Sequence, residues 1–153
     1  MSDSSTPELN VERLRRLANG DELAAPHAVS LVRNMQSEDE EHRAWTSDAL
    51  RAITQLPEEL ADEVAALCVH DNPAVAAAAC GQLIKLGAKA TNYQAALVAT
   101  LTSHPSLSAR QQAALALASI KPLNADSLQA LRTAAASSDP RLQRLATAAL
   151  GSS

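Results

Sequence analysis

The sequence predicts an all-α protein: a right-handed α-α superhelix of about four helical hairpins stacked behind an N-terminal capping helix. Of its 153 residues, 33 are Ala and 22 are Leu, the two residues that pay least to enter a helix. Phe is absent, and Trp45 and Tyr93 are the only aromatics, so the palette that strands prefer is missing. One segment also recurs four times. Its closing leucines, Leu50, Leu83, Leu115 and Leu150, lie 33, 32 and 35 residues apart, a period that belongs to stacked repeats in which each unit buries its apolar face against its neighbours.

The elements follow in order. Residues 1–6 are Ser, Asp and Thr after the first Met, with no side chain that could seed a core, and are expected to be disordered. Residues 7–153 are expected to form a single domain, with repeats at roughly 21–53, 57–87, 92–120 and 124–151. Stretch 7–18 sets Leu9, Leu14 and Leu17 at helical spacing and is read as the cap over the first repeat. The first helix of each hairpin is expected near 22–35, 58–69, 92–103 and 126–137, with Leu60, Val64 and Leu67 marking one apolar stripe. Each second helix starts from Asp39, Asn72, His104 or Asp139. Asp and Asn accept backbone N–H groups at an N-cap, and Pro73, Pro105 and Pro140 take the first helical position, where no N–H is needed. Places three and seven after the start carry His42 and Thr46, Val75 and Ala79, Leu107 and Gln111, Leu142 and Ala146, one face of a helix.

These second helices resemble those of the HEAT-repeat family, which tend to read D-P-x-V-R-x-x-A-x-x-A-L. The resemblance covers about 130 residues. Asp139, Pro140, Leu142, Ala146, Ala149 and Leu150 fit the pattern, as do Asp39, Arg43, Ala49 and Leu50, while Gln143, Ala76 and Ser108 stand where the family's arginine would be. The resemblance implies a non-catalytic scaffold whose second helices line a concave face, binding a protein or peptide. The residues of that face would be Glu41, Ala44, Asp48 and Arg51, then Ala74, Ala77, Gly81 and Ile84, then Ser106, Ala109 and Ala113, and last Arg141 and Arg144. A groove that is small and smooth in the middle, between an acidic and a basic end, would suit an apolar helix or an extended peptide. The competing reading is that these alanines only let helices pack closely.

Net charge is −4 with a pI near 5.5, which argues against a generic nucleic-acid or anionic-membrane binder. The mean hides an asymmetry: residues 1–76 carry 15 Asp/Glu against 6 Lys/Arg, net −9, and residues 77–153 carry 2 against 7, net +5. Opposite ends of opposite charge suggest head-to-tail self-association, helped by Leu142, Leu145 and Leu150 in the last repeat. The basic half, with Arg110, Arg132, Arg141 and Arg144, keeps open an alternative, a HEAT-like nucleic-acid-binding or lyase-type protein. No apolar run approaches the roughly 20 residues that span a bilayer, and the polar, acidic N-terminus does not read as a signal peptide, so a cytoplasmic protein is expected.

Chemistry is sparse. Cys68, His70, Asp71, Cys80 and His104 are the residue types zinc prefers, but no C-x-x-C pair occurs. Cys68 and Cys80 are read as small packing groups, and His70 and His104 as groups that help cap helix ends. The acidic runs at 38–41 and 58–59 open predicted helices, where negative charge meets the positive end of the helix dipole. A charged docking patch is the other reading of those runs. No phosphate-cradling glycine loop exists among Gly20, Gly81, Gly87 and Gly151. The expectation is no catalytic site, no cofactor and no metal.

Overall fold

The computed structural model describes residues 9–151; the expectation of disorder at 1–6, like the start of the capping stretch at Pro7, lies outside them. Among the described residues all regular structure is helical. The capping helix α1 (Val11–Asn19) is followed by four hairpins: α2 (Ala28–Asn34) with α3 (Glu40–Ala52), α4 (Ala61–Leu67) with α5 (Pro73–Leu83), α6 (Gln94–Ser103) with α7 (Leu107–Ala118), and α8 (Ala125–Ala135) with α9 (Pro140–Gly151). Three-residue 3-10 turns lead into α2 and α4, and a ten-residue 3-10 stretch, Ile84–Tyr93, kinked at Gly87, leads into α6, so those helices begin a few residues later than the apolar spacing suggested.

Helix starts follow local chemistry. Asn10, Asp39, Asn72, Ser106 and Asn124 each place a side-chain oxygen on a backbone N–H of the first turn, and Asp139 does the same for Leu142 at 2.8 Å. The second-helix caps Asp39, Asn72, Ser106 and Asp139 fall 33, 34 and 33 residues apart. At its other end α1 stops at Gly20, whose φ of +83° is the left-handed conformation glycine reaches without a Cβ penalty.

This regular spacing corrects the third repeat. Its helix is capped by Ser106, not His104, and Pro105 precedes the cap instead of opening the helix. Two residues of frame follow. The buried face of α7 is Ala109, Ala113 and Ala116, and the closing leucine is the fully buried Leu117, while Leu107 and Leu115 are exposed. His104 instead accepts the Ser106 N–H on Nδ1 at 3.0 Å, leaving Nε2 to donate to the His70 carbonyl at 2.8 Å. His70 Nδ1 accepts the Asn72 N–H at 3.0 Å in the same way. Both histidines therefore organise the turns ahead of second helices, and His104 adds a tie to the preceding repeat.

The core is a continuous apolar cluster from Leu9 to Ala149. Helices α2, α4, α6 and α8 stack in one layer, and α5, α7 and α9 pack successively in the other. At the N-terminal end α1 lies along α3. There the His42 ring contacts the Leu9 carbonyl through Nε2 at 2.6 Å, and Thr46 donates to the His42 carbonyl at 2.7 Å while accepting from Asn34 at 3.1 Å. The Arg15 guanidinium sits 5.3 Å from the centroid of the half-buried Trp45 ring. Second helices do not stack evenly, however. α3 and α5 approach each other far less closely than α5 and α7 or α7 and α9 do, and α2 packs against both.

Candidate functional site

The seam between α3 and α5 is open as a cleft of about 380 Å³. Ser47, Leu50 and Arg51 form the α3 wall, and Ala74, Ala77, Ala78 and Gly81 the α5 wall. Small side chains on α5 keep that wall low, and a Cβ added to Gly81 would lie 3.5 Å from Gln112 Nε2 of α7, an ordinary contact. A second hollow, lined in part by Ser37, Arg43, Asn72 and Pro73, shares Met35 and Ala74 with the first, so the two adjoin along the starts of the second helices.

The two walls are bridged at one point. Lys85 Nζ donates to the Leu50 carbonyl at 2.7 Å, and Gln82 Nε2 donates to the same oxygen at 3.3 Å, so both side chains gather on a carbonyl in the last turn of α3 that also accepts the Ile53 N–H at 3.2 Å. Burial pushes the Lys85 ammonium below its ordinary range. Gln82 occupies the tenth place after its cap, where the other repeats carry Ala49, Ala116 and Ala149. It is 4% exposed, and its Oε1 finds no donor among the described residues.

Of the residues the sequence assigned to a binding face, Arg51, Ala74, Ala77 and Gly81 line this cleft. Glu41, Ala44, Arg141 and Arg144 are exposed elsewhere on α3 and α9, and Asp48 and Ile84 are half-buried. Asp48 and Arg51 form an ion pair one turn apart on α3. Three assignments are corrected. Ala109 and Ala113 are fully buried and pack in the core, and Ser106 is the α7 cap; all three follow from the two-residue frame of the third repeat. In the frame set by Ser106 the matching positions are Ser108, Gln111, Leu115 and Ala118, none of them buried. Gln82 and Lys85 were not singled out from sequence, although a lone Gln in a column of alanines is a signal visible there.

The remaining candidates fall elsewhere. Cys68 and Cys80 are both fully buried and free, and the Cys68 thiol is pushed above its ordinary range by its hydrogen bond with Cys80 and by burial. Among the described residues no three His, Cys, Asp or Glu side chains gather as a metal site would need, and no helix is long and apolar enough to cross a membrane. The acidic runs divide. Asp39 caps α3 and Glu40 and Glu41 fill its first turn, whereas Glu58 pairs with Lys89 across repeats at 2.8 Å. Tyr93 donates to Asp62 at 2.8 Å, which raises the pKa of its phenol. Arg132, Arg141 and Arg144 are exposed on α8 and α9 and Arg110 is half-buried on α7, while in the last repeat Leu142 is buried and Leu145 and Leu150 are half-buried.

Stacked hairpins without strands, two helical layers and inter-repeat side-chain ties define an α-solenoid, a scaffold architecture. A family model for HEAT repeats matches residues 61–151, and the chain belongs to the HEAT-repeat family. Among solved structures it is similar to an engineered protein at 22% identity, covering 97% of this chain and 74% of that one with a TM-score of 0.60. A second engineered protein is 21% identical over 99% of this chain and 76% of its own, with a TM-score of 0.59. A designed armadillo repeat protein is 18% identical over 98% and 78%, with a TM-score of 0.57. At these identities the likeness is one of fold. A comparison with curated protein sequences finds no match.

Proposed function

We propose that this chain is a non-catalytic binding module of the cytoplasm that seats a protein or peptide partner on the face of its second helices, with the α3/α5 cleft as the seat. The observation that carries the reading is the cleft itself. Everywhere else in that layer successive helices close against one another, and here they stand apart over small side chains. A solenoid surface of this kind supports binding by shape and by a few convergent polar groups, without any group placed to do covalent chemistry. Ser106, Ala109 and Ala113 drop out of the proposed face, and the cleft residues Arg51, Ala74, Ala77 and Gly81 become its centre.

The test is a comparison of partners captured from the native host by the wild-type chain and by Ala77→Glu. Ala77 is half-buried on the cleft wall, so a glutamate there fills the seat while the side chain can still reach water. A partner held by the wild type and lost by the variant, at unchanged thermal stability, supports the reading. An identical set of captured proteins overturns it.

A further inference from the structure

The polar groups of the α3/α5 cleft narrow the chemistry of its occupant, an inference that rests on the reading above. The Lys85 ammonium is half-buried and bonded to a neutral carbonyl, and none of the described carboxylates lies within ion-pair distance of it. A partly desolvated cation without a counter-charge attracts an anion more strongly than one on an open surface. Across the cleft, Arg51 already has Asp48 as its partner, so one uncompensated positive charge remains. Beside it Gln82, nine-tenths buried and more, holds an acceptor with no donor, at a position that is alanine in every other repeat.

We propose that the cleft binds an extended segment of a partner protein through one acidic side chain, whose carboxylate pairs with Lys85 beside the buried Gln82 amide. The alanines and Gly81 of α5 let the segment's backbone lie close to the helix. A monoanion fits the single free charge better than a phosphate dianion. The acidic side chains Glu40 and Glu41 stand in the first turn of α3 and Arg51 in its last, roughly 15 Å apart along the helix. That gradient directs the segment's acidic residue to the Lys85 end.

The experiment is an NMR titration of the full 15N-labelled chain with two capped pentapeptides, acetyl-Ala-Ala-Glu-Ala-Ala-amide and its Gln counterpart. The expected result is saturable shifts at the Gln82 side-chain amide and the Ala77 and Gly81 backbone amides with the Glu peptide, and about tenfold weaker binding of the Gln peptide, the loss of one charge-assisted pair. Lys85→Gln should weaken the Glu peptide to the level of the Gln peptide, and Lys85→Arg should retain the preference. The peptide comparison uses the wild-type chain, so it decides the matter even if a Lys85 variant fails to fold. Equal affinity for both peptides, shifts confined to other surfaces, or no saturable shift with either peptide overturns the acidic-segment inference. If a partner sensitive to Ala77→Glu is nevertheless captured, the cleft remains the seat and only the chemistry assigned to its occupant falls.

Discussion

Gln94 of α6 and Ser127 of α8 share a buried hydrogen bond of 2.7 Å across 33 residues of sequence, the innermost tie between the third and fourth repeats. The same Gln94 Oε1 accepts the Asn124 N–H at 2.9 Å, and its Nε2 donates to the carbonyls of Thr91 and Pro122, both at 3.1 Å. All four hydrogen-bonding positions of one buried amide are filled, so removing it strands several groups at once. Gln94→Leu should cost about 2–4 kcal/mol, more than one ordinary hydrogen bond, because the stranded partners lose their solvation without recompense. Chemical denaturation checks this, and a loss below about 1 kcal/mol would show that water takes over the amide's role.

The frame of the third repeat makes two leucines two residues apart behave differently. Leu117 is fully buried and Leu115 is 38% exposed. Leu117→Ala should destabilise by about 2–5 kcal/mol, the range for truncating a core leucine, and Leu115→Ala by less than about 0.5–1 kcal/mol. Comparable losses from the two variants would mean that the helix is rotated from the position described.

His104 joins a cap to an inter-repeat tie, since its two ring nitrogens serve Ser106 and His70. His104→Ala should therefore lower stability by about 1–3 kcal/mol, while His70→Ala, which loses the Asn72 N–H contact and keeps its carbonyl, should cost less. Thermal melts of the two variants rank them, and the reverse order would contradict the assigned roles.

Acid titration isolates Asp139. Its carboxylate accepts the Leu142 N–H and a Gln111 amide N–H, and these bonds, the backbone one foremost, hold its pKa below the ordinary carboxylate range. A depressed folded-state pKa contributes stability that is present above the unfolded value, near 4, and is lost as pH falls from there through the folded value. Asp139→Asn removes that contribution. The stability difference between wild type and variant should be constant at neutral pH and shrink below about pH 4, read from denaturant unfolding across pH. A difference that grows on acidification would be the wrong sign for this linkage.

Much of this architecture was legible in the chain because it is local. Asp39, Asn72 and Asp139 announce their helices through capping chemistry that needs only the next three residues, and Leu9, Leu14 and Leu17 show the capping helix through spacing alone. The third repeat misled for the same reason: His104-Pro105 imitates the cap and proline of its neighbours, and nothing within the segment says that Ser106 competes better for the first turn. Equal intervals between caps would have exposed the mismatch, since 33, 34 and 33 is more regular than 33, 32 and 35. The cleft was out of reach by these means. It depends on α3 and α5 standing apart where the later second helices close, and on Lys85 and Gln82 meeting a carbonyl more than thirty residues away, relationships that only the folded arrangement creates.

The gap beneath Leu50 also makes the molecule unevenly stiff. From α5 onward each second helix braces the next, whereas α3 meets α5 chiefly where Gln82 and Lys85 reach the Leu50 carbonyl, with the Leu56 N–H on the Lys85 carbonyl nearby and α2 packed against both helices. Bending should concentrate at this joint, so that the curvature of the whole rod is set by how far one seam opens, and anything wedged there would act as a shim.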